Sequence, residues 1–164
     1  MGDREILKTP TIRIMLHRAI KVEYLKGTKL KMTFQDGKVK VYDMARLFER
    51  YPQTKALQNR KLFTSGKLTA YGVIWNDELD IDSDTVYENG EDAGKAEVPI
   101  SAVVAYTITK SRTKAGLSQA QLAAKANIDQ ADISKLERGI ANPSVNTLSR
   151  IAKALGTNLH ISFS

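Results

Sequence analysis

Residues 116–139 read GLSQAQLAAKANIDQADISKLERG, and their punctuation decides the second half of the chain. Ser118 precedes Gln121 by three positions, the spacing of a capping box that opens a helix. Leu122, Ala123 and Ala126 then recur on one face of that helix. Asn127 follows, a residue type that tolerates the left-handed conformation, and so closes it. Asp129 is placed to cap the next helix, Gln130 to Arg138, with Ile133 and Leu136 inward and Gly139 as the stop. Two short helices about a tight turn need a small residue where they cross, and Ala123 supplies it.

Working outward, an earlier helix is expected from near Pro99 to Gly116, with Ile100, Val103, Val104 and Ile108 at helical spacing. Downstream, Asn142 is expected to cap a fourth helix with Pro143 at its first position, where the missing N–H costs nothing. Leu148, Ile151, Ala152 and Leu155 form its stripe and Gly156 ends it. The closing residues alternate as a strand, with Leu159, Ile161 and Phe163 on one side. The spacing therefore predicts an all-α helix-turn-helix domain over 98–157 and a C-terminal strand over 158–164, which either pairs with the same strand of a second chain as a dimerisation element or docks on the first domain.

This segment closely resembles the XRE family, the lambda-repressor-like helix-turn-helix proteins. The matching residues are Arg112, Gly116-Leu117-Ser118-Gln119, Leu122-Ala123, Ile133-Ser134, Leu136-Glu137-Arg138-Gly139, Pro143-Ser144, Thr147-Leu148 and Ile151 to Gly156. Asn127 departs from the glycine usual in the family. The resemblance implies that Gln119 holds a phosphate at the start of its helix. It implies that Gln130, Ala131 and Lys135 enter the major groove, where glutamine suits adenine, the alanine methyl suits thymine and lysine suits guanine. Asp132 and Ser134 lie on or near that face, and Asp132 either accepts from cytosine or favours the helix N-terminus. Arg138 and Lys153 are phosphate candidates or ordinary solvated charges. Arg112 and Glu137 resemble the family's buried ion pair, a structural feature.

The first half has a different texture. Val22, Tyr24, Leu30, Met32, Phe34, Val39 and Val41 alternate with polar residues, and Asp36-Gly37 is a hairpin signal. A three-stranded meander is expected over 18–42, then a short helix after Asp43 with Met44, Leu47 and Phe48 on one face, stopped by Pro52. One or two strands are expected over 68–75, broken near Gly72, and a helical turn over 83–88. The polar stretch 89–95 with its two glycines marks a linker. The expected fold class is thus an α+β N-terminal domain, an antiparallel β-meander with short helices over 18–90, followed by the all-α domain. A linker over 91–97 joins them, and residues 1–17 form an N-terminal arm. Phe34-Gln35-Asp36-Gly37, Asp43, Leu62-Phe63, Trp75, Asp80-Ile81, Asp84 and Tyr87 resemble a small bacterial domain family of unknown function. That resemblance implies an α+β fold and a protein partner of the toxin–antitoxin kind.

Charge is organised in blocks. The 164 residues carry a net +7, with +10 over residues 1–76, −8 over 77–92 and +4 over 97–164. A basic balance favours a polyanionic partner. The acidic block either attracts a basic partner or lies against the basic strands at 26–40. Cysteine is absent, which removes disulfides, thiolate metal sites and thiol nucleophiles. His17 and His160 stand in different domains and are expected at the surface. Asp80, Asp82 and Asp84 faintly resemble a calcium loop but lack its glycine, so an acidic edge with Asp80 or Asp84 capping the short helix is the preferred reading. Trp75, Tyr71, Phe34 and Phe63 are read as core before ligand pocket. Met1-Gly2 lacks the serine or threonine of a myristoylation site. No apolar run approaches the ~20 residues of a membrane span, and no signal-peptide pattern is present.

The sequence therefore points to a cytoplasmic, non-enzymatic regulator that binds double-stranded DNA. It is read as a homodimeric repressor without cofactor or metal, associated with the nucleoid when DNA-bound. An autoregulating antitoxin is a companion reading, with a toxin or small ligand at the first domain. The alternative of another class is a protein-interaction adaptor with little DNA binding.

Overall fold

The computed structural model describes residues 17–163. Residues 1–16, with the Met1-Gly2 start and nearly all of the expected arm, lie outside the described residues. The first part is α+β. Strands β1 (Ala19–Tyr24), β2 (Lys29–Phe34) and β3 (Lys38–Asp43) form the expected antiparallel meander. Leu30, Met32 and Phe34 share one face because side chains alternate along a strand, and all three are buried. The Asp36-Gly37 turn is closed by Gly37 N donating to the Phe34 carbonyl at 2.9 Å.

The Asp43 carboxylate accepts from Ala45 N at 3.0 Å and so caps the expected short helix, a 3-10 run over Met44–Leu47. Pro52 does not simply stop the chain. It opens a second 3-10 run, Pro52–Gln58, and Asn59 then caps α1 (Arg60–Phe63). Here only Leu57, Phe63 and Thr54 are buried, too few to print a stripe in the sequence. Strands β4 (Lys67–Leu68), β5 (Gly72–Asn76) and β6 (Leu79–Asp82) make a second antiparallel sheet. At Gly72 the backbone has φ 146°, and a side chain there would strike the Ile81 carbonyl. Helix α2 (Ser83–Asn89) is capped by Asp82, which accepts from Thr85 N at 2.7 Å, rather than by Asp80 or Asp84.

The expected linker over 91–97 is corrected. Glu91–Lys95 forms β7, which joins the first sheet antiparallel to β3 and gives the order β1-β2-β3-β7. Every β7 residue is exposed, so an edge strand of this kind carries no apolar alternation and reads like a loop. Lys40 pairs with Asp92 at 2.9 Å, so the end of the acidic block does lie against a basic strand. Phe34, Phe63, Met44, Leu57, Val73, Ile81 and Val86 belong to one core that draws on both sheets. Phe34 and Phe63 are buried and Trp75 is half-buried, its Nε1 donating to the Phe63 carbonyl at 2.7 Å, whereas Tyr71 is exposed.

The second part is helical: α3 (Ile100–Lys114), α4 (Gln119–Ala126), α5 (Gln130–Glu137) and α6 (Val145–Ala154). Its core is separate and contains Ile108, Leu122, Ala123, Ala126, Ile133, Leu136 and Ile151. Three expectations change. Helix α3 buries Ala102, Ala105 and Ile108, while Ile100 and Val103 are exposed, because small residues fill the close contact. Helix α6 is capped by Ser144, which accepts from Thr147 N at 3.1 Å, rather than by Asn142. The alternating tail after Gly156 forms no strand among the described residues: Ile161 and Phe163 are exposed and the backbone of 158–163 has no hydrogen-bonded partner.

Candidate nucleic-acid interface

The site is assembled from α4, its turn and α5. Ser118 Oγ accepts from Gln121 N at 3.1 Å, and Gln121 Oε1 accepts from Ser118 N at 2.8 Å, completing the capping box. Asn127 has φ 52° and ψ 51°, the left-handed conformation its position requires. It is the non-glycine residue with positive φ among those described. Ile128 N then donates to the Ala123 carbonyl at 3.0 Å, which turns the chain towards α5.

A charged anchor fixes the angle of α5. Glu137 is 5% exposed and receives a bidentate pair from Arg112, Nε at 2.5 Å and Nη2 at 2.9 Å. Arg112 Nη1 also donates to the Leu117 carbonyl at 2.8 Å. Such a fork satisfies both carboxylate oxygens and offsets part of the cost of burial. Gln119 joins this network, its Nε2 donating to Glu137 Oε2 at 2.8 Å. The side-chain amide nitrogen expected to meet a phosphate is thus held by Glu137.

Burial of Ile133, Leu136 and Glu137 turns the opposite side of α5 outward. Gln130, Ala131, Asp132, Lys135 and Arg138 are exposed there, and Ser134 is half-buried. Lys135 Nζ lies 3.3 Å from Asp132 Oδ1, and Arg138 Nε donates to the Ser134 carbonyl at 3.3 Å. Lys153 is exposed on α6.

Two arginines matter here that sequence reasoning did not single out. Arg150 of α6 donates to the carbonyls of Ala126, at 2.9 and 3.1 Å, and Asn127. It thereby ties the end of α4 to α6. Arg18, at the start of β1, donates to the Glu137 carbonyl at 3.4 Å. Burial, then the charge of Arg138, lowers the Arg18 pKa. Nothing local in the sequence marks either contact, since both join distant segments. A groove of about 650 Å³ opens beside the foot of α5, lined in part by Asn127, Asp129, Asp132, Ser144 and Arg150.

The carboxylates of the first domain are dispersed. Asp80 is exposed, Asp82 caps α2, and Asp84 accepts from His17 at 3.0 Å. His17 is half-buried and stacks on Tyr87 at 3.5 Å between centroids, which corrects its expected surface position. Among the described residues, no three His, Asp or Glu side chains gather as a metal site. No described helix is long and apolar enough to cross a membrane.

The helix-turn-helix family model matches residues 108–161. The uncharacterized HTH-type transcriptional regulator y4dJ of Sinorhizobium fredii is 38% identical over 56 residues, which span 34% of this chain and 73% of that protein. The chain belongs to the XRE-type helix-turn-helix family. The model of a protein family of unknown function, DUF2442, matches residues 19–92 of this family member. Among solved structures, the wild-type restriction-modification controller protein C.Esp1396I is 34% identical across 38% of this chain and 80% of its own, with a TM-score of 0.36. A hypothetical transcription factor, NHTF from Neisseria, is 33% identical across 38% and 76%, with a TM-score of 0.35. A protein of Nitrosomonas europaea is 16% identical across 82% and 84%, with a TM-score of 0.40.

Proposed function

We propose that this chain is a cytoplasmic transcription regulator that reads duplex DNA with α5 in the major groove and acts as a dimeric repressor. The observation that carries the reading is the division of α5 into a locked inner side and an exposed outer one. Gln130 can pair with adenine, the Ala131 methyl can meet thymine, and Lys135 can reach guanine. Lys135 must leave Asp132 to do so, and an exposed ion pair of this kind is worth at most about 1 kcal/mol. Arg138 and Lys153 supply phosphate contacts. For Gln119 the backbone start of α4, rather than the side-chain nitrogen, is the phosphate-facing group.

Support for the dimer comes from the tail. Leu159, Ile161 and Phe163 alternate, and the backbone groups of 158–163 are unpartnered among the described residues. Such an extended segment can become a strand by pairing with a second copy of itself about a two-fold axis, which is also the symmetry of paired half-sites on DNA. The experiment is selection of bound duplexes from a randomised pool. A two-fold symmetric preferred site is expected. An enriched pool without a common sequence would overturn the proposal.

A further inference from the structure

Within the first domain, positive charge is concentrated in one part of the sequence. Residues 17–76 hold 13 Lys and Arg against 4 Asp and Glu, and the acidic residues of 77–92 bring the domain over 17–95 to 14 against 12, whereas residues 97–164 hold 8 against 4. Of those eight, Arg112 is held by Glu137, Lys135 by Asp132 and Arg150 by carbonyl oxygens. In the first domain Lys26, Lys29 and Lys61 are exposed and pair with no carboxylate among the described residues. Arg60 draws them together. Its guanidinium donates to the carbonyls of Tyr24 at 3.1 Å, Gly27 at 3.3 Å and Leu25, which fastens α1 to the β1–β2 turn. Three lysines therefore share one end of the domain, a surface that favours a polyanion.

The other end of β1 meets the reading helix. Arg18 donates to the Glu137 carbonyl, and the exposed Arg138 follows in sequence. Neither guanidinium has a carboxylate partner among the described residues. Two cations from different domains thus stand at the end of α5. From there, six residues of strand carry β1 about 20 Å to the lysine-rich turn. That is roughly half of the about 34 Å helical repeat of duplex DNA.

We propose that the first domain is part of the DNA-contacting surface: Arg18 and Arg138 share one backbone phosphate beside the groove holding α5, and Lys26, Lys29 and Lys61 take phosphates farther along the duplex. This rests on α5 reading DNA. The two domains then divide the work. Helix α5 supplies sequence preference, and the first domain supplies charge neutralisation that is blind to sequence.

The test is the salt dependence of duplex binding by the full chain and by the Lys26→Gln/Lys29→Gln/Lys61→Gln variant. Binding is followed between about 50 and 200 mM salt, the range in which phosphate contacts are most visible. Each lost contact lowers the slope of log affinity against log salt by about 0.9. The triple variant should lose up to about three such steps and keep the ranking of duplex sequences. Arg18→Gln/Arg138→Gln should lose about one. An unchanged slope in the triple variant, with the wild-type sequence preference intact, overturns this inference and leaves the reading of α5 standing. A wild-type chain without affinity for duplex DNA overturns both.

Discussion

Arg18 and Glu137 are 119 positions apart, yet the Arg18 guanidinium donates to the Glu137 backbone carbonyl. That carbonyl lies in the last turn of α5, where acceptors have no intrahelical partner and a cation suits the helix dipole. Glu137 is thus bound twice: its side chain by Arg112 and its carbonyl by the first domain. This contact links the residue before β1 to the end of the proposed reading helix.

The side-chain half of that anchor sets the stability of the helical domain. Arg112→Ala leaves a buried carboxylate with one remaining side-chain partner, Gln119. The expected loss is about 3–5 kcal/mol, as for other broken buried pairs. Gln119→Ala removes a single bond to a charged group, and about 1.5 kcal/mol is expected. Urea denaturation of the two variants checks the order, and equal losses would show that the fork is not the anchor.

At the turn, Asn127 occupies backbone space that side chains with branched Cβ atoms disfavour. Asn127→Gly should leave the thermal midpoint near that of the wild type. Asn127→Val should cost about 1–2 kcal/mol. A valine variant as stable as the glycine one would mean that the turn relaxes out of the left-handed region.

Alkaline pH isolates the Tyr87 cluster. Tyr87 Oη donates to Asp36 at 2.6 Å. Burial first, then the hydrogen bond to Asp36 and its charge, push the Tyr87 pKa well above the ordinary value of 10.0. The fold therefore favours the neutral phenol. Its contribution is complete below the unfolded-state pKa, and is lost as pH climbs from there through the folded-state pKa. The stability gap between wild type and Tyr87→Phe should hold steady up to about pH 9 and narrow above about pH 10. Chemical denaturation across that range reads it directly, and a gap that widens would contradict the sign.

The tail predicts an oligomeric state. With Ile161 and Phe163 exposed in the single chain, Ile161→Asp/Phe163→Asp removes the apolar surface that the proposed dimer would cover. Sedimentation equilibrium should give twice the chain mass for the wild type and the single mass for the variant. Equal masses for both would remove the tail from the interface.

What the sequence shows and hides follows from the range of the forces involved. Ser118, Gln121, Asn127 and Gly139 act within a turn of their own position, so α4, the turn and α5 are legible almost to the residue. Ile133 and Leu136 also mark the inner side, and with it the outer one. Helix α3 is misread on its buried side because Ala102 and Ala105 pack by being small. Strand β7 is missed because its only reward is pairing with β3, which leaves no trace in its own polar residues. The run Pro52–Phe63 is missed because 3-10 turns print no period. Arg18 and Arg150 are invisible for a simpler reason. Their partners are main-chain carbonyls, which every residue has.

The most direct test of the account is fluorescence anisotropy of the full chain on a duplex from upstream of its own gene, against a scrambled duplex, at several salt concentrations. The account predicts saturable binding that prefers the upstream duplex, weakens steeply with salt, and loses its preference in Gln130→Ala/Lys135→Ala while that variant stays folded. A preference unchanged in the double variant would contradict α5 as the reading element.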